Sequence, residues 1–145
     1  MTKLFTIGFT KKTARQFFEL LKKNNVKKII DIRINNSSQL AGFAKGADLE
    51  YFANEICGIK YKHIADFAPT KELLSDYQNK KIDWIEYKKI YKNLIEKRNV
   101  TAKYNIEEFD NACFLCSEPT AEQCHRKLLV EYFKEKNPQI QIIHI

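Results

Sequence analysis

The chain has 145 residues, 44% of them hydrophobic and 12% aromatic, and carries a formal charge of +7 at neutral pH. Those proportions support a folded core and exclude an intrinsically disordered segment. No apolar run approaches the roughly 18 residues of a membrane span, and the opening MTKLFTIGFT lacks the apolar region and cleavage site of a signal peptide. The expectation is therefore a cytoplasmic protein with no membrane partner.

The first element is Leu4 to Ile7, a short β run that ends at Gly8. Thr13 and Gln16 form a capping box, and behind it Ala14, Phe17, Phe18 and Leu21 make one apolar helical stripe. Val26 to Ile32 contains the near-continuous apolar run of a buried parallel strand, so the first three elements form a right-handed βαβ unit. Asn35 to Gly46 reads as a long polar loop of the kind that surrounds active sites. Leu49, Phe52, Ala53 and Ile56 supply a second helical stripe closed by Gly58, and Ile59 to Ile64 alternates as a short strand.

Two helices follow, one capped by Thr70 and running to Tyr77, the other opened by Asp83 and Glu86 and running to about Arg98. Tyr87, Tyr91, Leu94 and Ile95 mark the inward side of the second. Ala112 to Cys116 is a fourth strand. Thr120 with Gln123 marks the start of another helix, in which Cys124 shares an inward face with Leu128 and Tyr132, and His125 one with Leu129 and Phe133; Ile140 to Ile145 is a fifth strand. This order predicts a single Rossmann-like α/β domain over residues 1–145. Its layers surround a mostly parallel sheet of about five strands, with a helical insertion at about 69–98.

In a parallel sheet ligands gather at the carboxyl ends of the strands. Gly8 and Thr10 follow the first strand, Asp31 and Arg33 end the second, and Cys116 and Glu118 end the fourth. These segments converge on one edge. Thr6-Ile7-Gly8, Asp31-Ile32-Arg33 and Leu115-Cys116-Ser117-Glu118 with Cys124-His125-Arg126 together resemble domain-of-unknown-function family 488, whose members show TIG(H)(S), D-V-R and a terminal L-C-x-E…C-H-R. The resemblance covers nearly the whole chain. It departs where Phe9 replaces the family's His, where no Pro follows Asp31-Ile32-Arg33, and where Ala68-Pro69 replaces a Gly pair. The family carries no settled activity, so the resemblance implies none.

The four cysteines lie in a chain without an export signal and are expected to be free thiols. Cys113 and Cys116 are three apart on a strand and point to opposite faces, which argues against redox chemistry of a C-x-x-C pair. Cys116, Cys124 and His125 are of the right types for zinc, but C-x7-C-H lacks two close-spaced ligand pairs, so no metal or cofactor is assigned. What the pattern favours is an anion site. Gly8, Thr10, Asp31, Arg33 and Arg126 are its candidate binding residues, and Glu118, His125 and Cys116 its candidate catalytic groups. An internal Asp31–Arg33 ion pair is the competing role for those two. The ligand expected is a phosphorylated or nucleotide-like small molecule turned over by an enzyme. Alternatives are a non-catalytic module for nucleotides or nucleic acid, which would expose aromatics such as Tyr61 or Trp84, and a Cys/His zinc site. The positive charge favours anionic partners, but the lysines are scattered as on an ordinary solvated surface.

Overall fold

A computed structural model of the chain describes residues 2–36, 42–118 and 121–145. Five strands, β1 (Lys3–Gly8), β2 (Lys28–Asp31), β3 (Lys60–His63), β4 (Ala112–Cys116) and β5 (Gln141–His144), form one sheet in the order β3-β2-β4-β1-β5. Every pairing is parallel. The three central strands are buried on both faces, which is why their sequences are almost uninterruptedly apolar. Edge strand β3 instead reads Lys-Tyr-Lys-His, with its lysines turned toward solvent, an arrangement that discourages edge-to-edge pairing.

Alternation along each strand sorts the core into two layers. Phe5, Ile7, Ile29, Cys113 and Leu115 pack against α1 (Ala14–Lys23) and α2 (Gly46–Phe52) through Phe17, Phe18, Leu21 and Leu49. Leu4, Ile30, Ala112, Phe114 and Cys116 face the other way. They meet α3 (Lys71–Gln78), α4 (Trp84–Lys97), α5 (Val100–Lys103) and α6 (His125–Lys136) through Leu73, Tyr91, Ile95, Val100, Leu129 and Phe133. The result is an α/β fold layered as helices, sheet and helices. Cys113 and Cys116 do lie on opposite faces.

The caps read from sequence are formed. Thr13 and Gln16 exchange both capping-box bonds, Thr70 accepts from Leu73 N–H, and Asp83 accepts from Glu86 N–H. Gly58 closes its helix in the left-handed region at φ 66°.

Three expectations need correction. Ala53–Cys57 winds as a π-helical turn, so the stripe moves on by one residue and leaves Ile56 exposed while Cys57 packs inward. The last helix begins at His125, with Cys124 as its N-cap residue, and residues 121–124 are turns; Thr120 lies outside the described residues. Its buried side is wider than the two expected stripes: it holds His125, Arg126, Leu129, Val130, Tyr132 and Phe133, while Leu128 is only half-buried. Cys124 and Tyr132 are buried as expected, and Arg126 belongs to the core.

Topology opens a crevice at the carboxyl edge. The chain leaves β2 for β3 through α2 on one face, and leaves β4 for β5 through α6 on the other. Adjacent strands whose continuations diverge in this way leave a gap between their ends. Register places Asp31 of β2 opposite Leu115 of β4, and Gly8 of β1 opposite Cys116, so the three strand ends are nearly level.

Candidate functional site

The segment after β4 bends back across the end of β1. Thr10 N–H donates to Ser117 O at 3.2 Å. A Cβ on Gly8 would stand 1.5 Å from the carbonyl oxygen of Glu118 and 2.8 Å from Arg126 Nη1, so only glycine permits the crossing. Arg126, 1% exposed, holds the crossing from below: its Nη1 donates to Glu118 O at 2.7 Å and to Cys116 Sγ at 3.0 Å. Burial lowers its pKa to about 10, against the raising influence of the Cys113 thiol and the Glu118 carboxylate, and it remains charged at neutral pH.

At the end of β2 a second buried arginine is tied down. Arg33 Nε and Nη2 donate to the two carboxylate oxygens of Asp31 at 2.9 and 2.7 Å, and Nη2 also reaches Ala44 O at 2.7 Å. Asp31, wholly buried, accepts a further bond from Tyr61 Oη, which in turn accepts from Asn36 Nδ2. Burial first, then the bond to Asp31, raises the pKa of Tyr61 well above its ordinary value, so the phenol remains a donor. His63 Nε2–H donates to Arg33 O at 2.7 Å, and the guanidinium lies 5.1 Å from the centre of the Phe9 ring. Phe9 thus supplies an aromatic face where a family His would stand. Arg33 Nη1 remains buried without a hydrogen-bond partner among the described residues.

Between these ends lies a cavity of about 270 Å³. Arg33, Asn35, Cys116, Glu118, Cys124 and His125 line its sheet side. Pro69, Leu74, Tyr77 and Tyr87 of the helical insertion close the other, where Trp84 stacks on Tyr87 and Tyr77 packs tilted against both. His125 is buried at the first position of α6. Its Nε2–H donates to Ile32 O at 2.8 Å, and its ring stands edge-on to Tyr91. Burial pulls its pKa down to about 4, so the imidazole is neutral at pH 7 with Nδ1 as its free lone pair. The expectation of four free thiols is corrected here. Cys116 and Cys124 are joined as a disulfide, and Cys57 and Cys113 remain free. The late start of α6 explains it: as an extended N-cap residue, Cys124 turns back toward the end of β4.

The family model described as a domain of unknown function, DUF488, matches residues 13–133. The chain belongs to the DUF488 family. It finds no match among curated proteins or solved structures.

Within this DUF488 chain the anticipated residues divide into two layers. Arg33, Cys116, Glu118 and His125 are on the cavity wall, whereas Asp31 and Arg126 stand behind it, each bound to a residue that lines it. Gly8 lies under the crossing segment. Thr10 is exposed and borders a separate groove with Lys11, Lys12 and Gln16. The residues that sequence reasoning passed over are Tyr77, Leu74 and Gln123; Tyr77 Oη donates to Gln123 Oε1 at 3.0 Å and ties the hairpin to the motif segment. For Leu74 and Tyr77 the signal was only the amphipathic spacing of the hairpin, which says that a side is buried but not that it faces a cavity, and Gln123 read as a capping residue. No helix among the described residues is long and apolar enough to cross a membrane.

Proposed function

We propose that this DUF488 chain binds, and acts as an enzyme on, a small phosphorylated or nucleotide-like anion in the cavity at the ends of β2 and β4. The observation that carries this reading is Arg33, which lines that cavity and whose buried Nη1 has no hydrogen-bond partner among the described residues. A desolvated cationic donor is costly to leave unmade, and an anionic oxygen satisfies it. The Tyr77 and Tyr87 rings on the opposite wall, tilted against each other, offer aromatic surface for a planar group, and the cavity volume is near the lower end for small-molecule sites. Glu118, an exposed carboxylate lining the cavity, is the candidate acid or base. A nucleic-acid surface is disfavoured because Tyr61 is spent on Asp31 and Trp84 is stacked on Tyr87.

The test is a melting-temperature titration with inorganic phosphate, ribose 5-phosphate and adenosine monophosphate, since a ligand of the native state raises the midpoint by mass action. Adenosine monophosphate should stabilise most, and Tyr77→Ala should abolish its advantage over ribose 5-phosphate. No rise with any of the three at about 100 times a micromolar Kd, where roughly 2.7 kcal/mol is expected, would end the reading.

A further inference from the structure

We propose that Cys116, Cys124 and His125, with both thiols reduced, form a zinc site whose fourth position opens into the cavity. One ligand atom from each lies within 4.8 Å of the others, and all three residues are buried. Two thiolates and an imidazole are the soft and borderline donors that select zinc, and three protein ligands with an open fourth position are the pattern of catalytic rather than structural zinc.

The surroundings already have the order such a site requires. The Nε2–H bond from His125 to Ile32 O fixes the ring and its tautomer, leaving the Nδ1 lone pair 3.9 Å from Cys124 Sγ. A second hydrogen bond of this kind accompanies nearly every metal-bound histidine. On the other side Arg126 Nη1, 3.0 Å from Cys116 Sγ, places a positive charge where a thiolate needs one. Reducing the Cys116–Cys124 disulfide frees both sulfurs, already side by side at the end of β4, for a shared ion. All three residues line the cavity, so the remaining coordination position is reachable from it.

The site does not depend on the anion reading, because it is built from different donors and is tested without any anion. The full chain, reduced with a phosphine, is given zinc or cobalt, freed of excess by gel filtration, and assayed for metal and for its ultraviolet spectrum. The expected result is one zinc per chain, and with cobalt a thiolate-to-metal charge-transfer band. Cys116→Ser should weaken that band by about half, and Cys116→Ser with Cys124→Ser should lower bound metal to less than about a tenth of an equivalent. Cys57→Ser, which alters a free thiol elsewhere, should change neither. Should the double variant fail to fold, His125→Asn gives a second reading through its cobalt spectrum. A folded, reduced wild-type chain that retains no metal would overturn the proposal, as would metal that the double variant keeps.

Discussion

Gly8→Ala is the sharpest probe of how the site is assembled. The added methyl group would sit 1.5 Å from a main-chain oxygen, so no rotamer change relieves the collision. β1 cannot yield, because it is hydrogen-bonded to β4 on one side and β5 on the other. The segment carrying Glu118 must instead retreat by about 2 Å to reach an ordinary contact distance. That displacement takes the Glu118 carbonyl from Arg126 and pulls Ser117 O from Thr10 N–H. A charge-assisted bond contributes roughly 1.5–3 kcal/mol and a neutral one about 0.5–1.5, so a loss of about 2–4 kcal/mol is expected. For a chain of this size the melting temperature should fall by roughly 5–15 °C. Urea unfolding followed by circular dichroism measures it, with Glu118→Ala as the control. That variant keeps the carbonyl and should stay within about 0.5 kcal/mol of wild type. A Gly8→Ala protein with an unchanged midpoint and slope would refute the crossing of β1 by this segment.

Two further outcomes follow from buried polar groups. Asp31→Asn preserves shape but strands the Arg33 guanidinium, and should cost about 3–5 kcal/mol by urea unfolding; a loss under about 1 kcal/mol would mean that water reaches the pair. His144 is exposed at the end of β5 but hydrogen-bonded to Thr6, and partial desolvation, then the charges of Arg126 and Lys127, lower its pKa against the opposing pull of Glu131. Above about pH 6.5 neither folded nor unfolded chain protonates it. Below that the unfolded chain takes up the proton first, so stability falls as pH falls. The urea midpoint should therefore drop more steeply between pH 7 and pH 5 in wild type than in His144→Asn, and equal slopes would remove His144 from the account.

The α/β architecture was legible in the sequence because strand and helix periodicities are local and this chain's are clean. Phe17, Phe18 and Leu21 announce the buried side of α1, and the apolar runs at Ile29-Ile30 and Ala112 to Cys116 announce strands covered on both faces. The caps at Thr13, Thr70 and Asp83 were legible for the same reason, since each bond spans three residues. Convergence of the polar residues at the strand ends needed only the parallel direction that helical crossovers impose.

What the chain could not disclose from its order of residues is which of those polar groups face outward to a ligand and which face one another. Asp31 and Arg33 look alike on paper to Glu118, yet the first two are bound together inside while Glu118 lends only its carbonyl to Arg126. Arg126 is in the core because α6 buries a face broad enough to hold residues 125, 126, 129, 130, 132 and 133, and an i, i+4 stripe read from the sequence marks only part of such a face. The meeting of Cys116 with Cys124 and His125 has no spacing rule behind it. It depends on an extended residue at the N-cap returning the chain to the end of β4, a geometry set by the packing of α6 on the sheet. Local periodicity determined the elements, and long-range packing alone decided the chemistry at their ends.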